Sequence, residues 1–104
     1  MSIIEGTKAN FEKEVIKSDK PVLVDFNATW CPPCRALHPT LEQMAADSDD
    51  YKIVTVDVDA EQALAIQYGV SSIPCLIVFK DGKETDRRIG LQPRKRLEKI
   101  LGVK

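Results

Sequence analysis

Residues 22–26, Val22-Leu23-Val24-Asp25-Phe26, form an almost unbroken apolar run rich in β-branched side chains. A strand with one face in water would alternate polar and apolar residues. This run does not, so both faces are expected to be covered and the strand to lie at the centre of a sheet. The apolar flanks of Asp25 argue against a carboxylate simply turned to water.

Flanking segments supply the layers such a strand needs. A short strand is expected over 2–5, and Thr7 is placed to cap a helix carrying Phe11, Val15 and Ile16 on one face and ending near Ser18 and Asp19, before Pro21. Leu37, Leu41, Met44 and Ala45 recur at helical spacing, with Pro39 as an internal kink. Residues 52–59 read as a second strand, which a right-handed crossover through that helix makes parallel to the first. A short helix follows, closed by Gly69. Asp81-Gly82 is a hairpin signal between the apolar run at 75–79 and residues 84–90, so the last two strands should be antiparallel. The closing helix has Pro93 as its expected first position and buries Leu97, Ile100 and Leu101 before Gly102. The sum is an α/β chain: a central mixed β-sheet flanked by helices on both faces.

The chain has 104 residues, 43% of them hydrophobic, enough for one domain spanning 1–104 that buries roughly two-thirds of its unfolded surface. No linker is richer than the polar run at 47–50. Fifteen basic and sixteen acidic residues leave a net charge of −1, with no global field for nucleic acid or anionic lipid. Arg87, Arg88 and the Arg94-Lys95-Arg96 cluster lack interleaved aromatics and read as solvated faces. No segment approaches 18 consecutive apolar residues, and Glu5 and Lys8 precede any leader-like run. A soluble, cytoplasmic monomer is expected, with no membrane partner.

Three cysteines are too few for a disulfide scaffold. Cys31 and Cys34, three apart, could hold a metal, lock a permanent disulfide or shuttle electrons. A closed zinc site needs four ligands, for which His38 and Cys75 are the remaining candidates, so a redox pair is the favoured reading and no metal is expected. Cys31 lies between a strand end and a helix start, where backbone N–H groups and the helix dipole favour thiolate; it is the candidate nucleophile. Cys34, in the first helical turn and less accessible, is the candidate resolving thiol. Pro32 and Pro33 remove two donors and stiffen the turn, so Cys31 should depend on the N–H of Cys34 and on Arg35, and the helix should begin no earlier than Pro33. Cys75 reads as a small buried hydrophobe, with a third redox thiol as its rival.

The segments "PVLVDFNATWCPPC", "VDVD", "YGVSSIPCLIVFKDG" and "RRIG", together with Pro39, resemble the thioredoxin family over essentially the whole chain. The resemblance implies the thioredoxin fold and a thiol-disulfide oxidoreductase without a cofactor. Its partners would be a thioredoxin-reductase-type electron donor and oxidised protein disulfides. It also implies that Cys31 is the nucleophile, Cys34 the resolving cysteine, Asp25 the buried carboxylate, Trp30 the flanking indole and Pro74 a proline preceded by a cis peptide bond. Desolvation should raise the pKa of Asp25 and let it relay a proton to or from Cys34 through water. Ile73 and Pro74 would offer an unpaired main-chain edge to a substrate segment.

Four positions depart from the family pattern. Pro32 stands for a common glycine, Asn27 for a second tryptophan, Thr55 for a lysine close to the buried carboxylate, and Cys75 for a threonine. The rival readings are a disulfide oxidase or isomerase, an interaction module with an idle dithiol, and a metal or iron–sulfur carrier.

Overall fold

The structure, a computed structural model, describes residues 2–103. Its strands are β1 (Ile4–Glu5), β2 (Val22–Asn27), β3 (Lys52–Asp57), β4 (Cys75–Lys80) and β5 (Lys83–Ile89). They form one sheet in the order β1-β3-β2-β4-β5, with β2 at the centre, as its composition requires. β2 runs parallel to β3 and antiparallel to β4, and the register sets Asp25 between Thr55 and Leu76.

The parallel pair is bridged by α1 (Pro32–Asp47), which buries Cys34, Leu37, Leu41, Met44 and Ala45. Together with Leu97, Ile100 and Leu101 of α3 (Arg94–Leu101), α1 packs on Leu23, Ile53, Leu76 and Val78. The opposite face of the sheet, with Val22, Val24, Phe26, Val54, Val56, Ile77 and Phe79, is covered by Phe11 and Val15 around a π-helix (Glu12–Ile16) and by Leu64 of α2 (Gln62–Gln67). Alternation along β2 decides this division: Val22, Val24 and Phe26 go one way and Leu23 the other. Asp25, two residues after Leu23, is therefore aimed at the α1 side. It is the one buried charged side chain among the described residues.

Several boundaries differ from expectation. Thr7 caps as predicted, its Oγ1 accepting the Asn10 N–H (3.3 Å) while Asn10 Oδ1 accepts the Thr7 N–H (2.7 Å). The helix it introduces is wound wider, the Lys17 N–H donating to Glu12 O at 2.8 Å. With donor and acceptor five positions apart, Val15 and Ile16 stack beneath Phe11 and all three reach the sheet. α1 begins at Pro32, one residue earlier than predicted, because the first N–H groups of a helix lack intrahelical acceptors and neither proline forfeits a bond there. Pro93 is the N-cap of α3, with ψ 151, and not its first helical residue. β3 ends at Asp57 instead of Asp59, since Asp57 Oδ1 accepts the N–H groups of Asp59 (2.9 Å) and Ala60 (3.3 Å) and turns the chain. The Asp81-Gly82 hairpin is as predicted, with both residues at positive φ (52° and 79°).

No helix among the described residues is long and apolar enough to cross a membrane.

Gly6, whose N–H donates to Thr55 O at 2.7 Å, brings the chain entering at β1 hard against β3. A Cβ there would lie 2.6 Å from Val54 Cγ1 and 3.1 Å from Val56 Cγ2. Gly6→Ala should therefore cost about 1–3 kcal/mol in urea unfolding. Adding Val54→Ala should cost less in that background than in the parent, because it removes the clashing methyl; simple additivity of the two losses would contradict the packing described.

Candidate active site

The chain leaves β2 at Asn27, passes the buried Ala28 and reaches Cys31, the N-cap of α1, in extended conformation (φ −86, ψ 113). Pro32 and Pro33 follow without N–H groups, so Cys34 supplies the first main-chain donor of the helix. That N–H donates to Cys31 Sγ at 3.4 Å. The Arg35 N–H donates to Cys31 O (3.0 Å), but the Arg35 guanidinium makes no hydrogen bond to Cys31.

Both cysteines are thiols and both are covered, Cys31 at 3% and Cys34 at 5% exposure. The expectation that Cys34 is the less accessible of the two is not met. Ala28 lies against the pair, and Val58 and Ile73 close over it, shielding Cys31 as fully as its neighbour. Burial pushes the Cys34 thiol up to about 12, with the hydrogen bond to Cys31 adding to the effect and the Ala28 main chain opposing it. Cys34 thus needs a base before it can act as a nucleophile at neutral pH.

A carboxylate stands beside it. Asp25, Asn27, Cys34, Arg35 and His38 line one cavity of about 280 Å3, ample for water. Asp25 is 1% exposed, and burial pushes its carboxyl up to about 7 against the opposing effect of a hydrogen bond from Asn27. Asn27 Nδ2 donates to Asp25 Oδ2 (3.2 Å) and to Asp25 O (3.0 Å), whereas Oδ1 is buried without a hydrogen-bond partner. Thr55 on the neighbouring strand brings no charge to the carboxyl.

Trp30 is 63% exposed at the rim, its Nε1 donating to Asp59 Oδ2 at 2.8 Å. The Ile73–Pro74 peptide bond is cis. Pro74 O accepts the Gly90 N–H (2.8 Å), so the free main-chain edge belongs to Ile73 alone and not to Pro74. Cys75 lies apart from the dithiol, 1% exposed in the cluster of Phe11, Phe26 and Ile77, where burial raises its thiol. His38 sits near Glu42 (3.5 Å) on the exposed side of α1, and no group of three or more potential ligands is placed to hold a metal among the described residues. Arg87, Arg88 and Arg94 are partly exposed and ion-paired with Glu84, with Asp86, and with Asp47 and Glu98 respectively.

Sequence reasoning missed two residues at this site. The Asp25-x-Asn27 spacing puts two polar side chains on one face of a strand, a readable signal. Asp59, 29 residues from its indole partner, left no comparable trace.

The unfolded chain loses the Asp25 proton near 3.8 and the folded chain near 7. Between those values the folded state holds a proton that the unfolded state has released, so this group lowers stability as pH rises from 4 to 7 and no further above that. Asp25→Asn should thus be more stable than the parent by about 4 kcal/mol at pH 8, with the difference shrinking towards zero at pH 4. Urea unfolding at the two pH values checks this; a gain of equal size at both would contradict it.

A thioredoxin family model matches residues 2–102. The thioredoxin of Porphyra purpurea is 42% identical over 102 residues, spanning 97% of this chain and 95% of that protein. Thioredoxin 1 of Synechococcus elongatus is 45% identical over 96 residues, spanning 91% and 90%. Among solved structures, a mutant thioredoxin from Halobacterium salinarum superposes with a TM-score of 0.89 at 34% identity, covering 96% of this chain and 88% of that one. With a dithiol at a helix N-terminus, a mixed five-stranded sheet and likeness along nearly its whole length, the chain belongs to the thioredoxin family and is a thiol-disulfide oxidoreductase.

Proposed function

We propose that the chain reduces protein disulfides through Cys31 and Cys34, with Asp25 as the proton acceptor for the second step. The observation that carries this reading is the cavity shared by Asp25 and Cys34, a carboxyl near neutrality beside a thiol that needs a base. Cys31, as thiolate, attacks one sulfur of the substrate disulfide. The Cys31–substrate bond forms, the substrate S–S bond breaks, and the departing substrate thiolate takes a proton from solvent.

Asp25 then accepts the Cys34 proton through water in the cavity, and Cys34 attacks Cys31 Sγ. The mixed disulfide breaks and the second substrate sulfur leaves as a thiolate, to be protonated in turn. Two electrons have passed to the substrate, and the chain holds a Cys31–Cys34 disulfide, which a thioredoxin-reductase-type donor returns to the dithiol. Pro32 and Pro33 keep the first turn stiff during this exchange.

Recognition is assigned to the rim. Trp30 offers an anchored apolar face, and the free main-chain groups of Ile73, beside Pro74, can take an extended substrate segment as a short added strand. We further propose that residues 1–104 act as one domain, as a cytoplasmic monomer. Cys75 is assigned to packing.

Cys34→Ser should accumulate mixed disulfides with substrate proteins and Cys31→Ser should not, read on non-reducing gels; equal trapping by both would reverse the assignment. Because Asp25 accepts a proton only when ionised, the resolution rate should rise with pH through about 7 and level off above it. Asp25→Asn should slow resolution by roughly 10²-fold and abolish that transition, measured by stopped-flow decay of a preformed mixed disulfide.

A further inference from the structure

We propose that Asn27 is a positioning residue for proton transfer in this chain: its amide fixes the orientation of Asp25 and favours the ionised carboxylate, leaving Oδ1 as the oxygen without a partner. This rests on Asp25 being the proton acceptor.

Residues two apart on β2 project to one face, so the Asn27 side chain emerges beside that of Asp25 and on the same side as Cys34. The Asn27 main chain is pinned there, paired with Asp57 in the parallel ladder and accepting the Val58 N–H at 2.9 Å. Nδ2 donates to Asp25 O as well as to Oδ2, which fixes the direction of the amide, so its bond to the carboxyl does not depend on a mobile side chain.

No other side chain among the described residues hydrogen-bonds to Asp25. β3 presents Thr55 and β4 presents Leu76 on either side of it. From α1 the titratable or charged groups on the same cavity are Cys34, Arg35 and His38, and from β4 the thiol of Cys75 lies close enough to sense the carboxylate charge. None of them donates to it. An N–H donor stabilises carboxylate and not carboxylic acid, so Asn27 counteracts burial and keeps Asp25 able to ionise near neutrality. The amide is also small enough to leave the cavity to Cys34 open.

Asn27→Leu, with the same branching and number of heavy atoms but no donor, should raise the Asp25 midpoint by about one pH unit, read by carboxyl carbon-13 NMR titration of the dithiol protein. The transition in the resolution rate should move up in pH by the same amount. Asn27→Gln, which keeps the amide, should move the midpoint less than half as far. Should Leu not be accommodated, Asn27→Ala gives the same reading. An unmoved midpoint, or equal movement with Leu and Gln, overturns the role of Asn27 while leaving Asp25 as the acceptor. A midpoint that moves without the rate following refutes Asp25 as the acceptor, and the transfer role of Asn27 falls with it.

Discussion

Strand β2 has no face in water, and the period of two along it decides which layer each of its side chains meets. Leu23 joins the core under α1 and α3, while Val22, Val24 and Phe26 join the core under the π-helix and α2. Asp25 and Asn27 inherit the Leu23 side by parity. The same strand then delivers the chain, four residues on, to the N-cap of α1. The carboxyl, the amide and the two thiols come together because one covered strand feeds directly into the helix that covers it. A slip of one residue in register would exchange Asp25 for Phe26 on the α1 face and dismantle the site and both cores at once.

That arrangement places two ionisable groups where neither carries charge easily. Burial raises both Cys34 and Asp25, and the charge of Asp25 adds to the rise at Cys34. The carboxyl, starting from a lower value, arrives near neutrality, whereas the thiol arrives far above it. In the proposed mechanism, a proton moving from Cys34 to Asp25 therefore runs uphill in isolation, and it would become productive because the thiolate it leaves is consumed in attack on Cys31. The same burial lowers folded stability as pH rises from 4 to 7, so the desolvated carboxyl that would serve the reaction is a cost to the fold.

What the sequence disclosed follows the range of the interactions involved. The covered strand, the helical stripe of Leu37, Leu41, Met44 and Ala45, and the Asp81-Gly82 hairpin were legible because each is decided by residues within a few positions of one another. The π winding of Glu12–Ile16 was not, since it answers to how Phe11, Val15 and Ile16 must reach the sheet. The cover over Cys31 comes from Val58 and Ile73, far along the chain, and the Pro74 carbonyl is taken by Gly90 across a strand pair. Both depend on tertiary placement, which no local pattern encodes. Asn27 falls between: its spacing from Asp25 is local, but its importance appears only once the carboxyl is found without other donors.

The two prolines of the cysteine turn gain their meaning from the same accounting of donors. In a helix whose first two residues carry N–H groups, an N-cap acceptor can share among several main-chain donors. Pro32 and Pro33 remove that choice, and Cys31 Sγ is left with the single amide of Cys34. The donor to Cys31 Sγ thus belongs to the residue that, in the proposed mechanism, later attacks that sulfur and displaces the substrate. Among the described residues, Asn27 is likewise the one side-chain donor to the one buried carboxyl, Asp25. In both places a single hydrogen bond stands where a more redundant set could, so the proposed reaction would depend on the Cys34 amide and the Asn27 side chain.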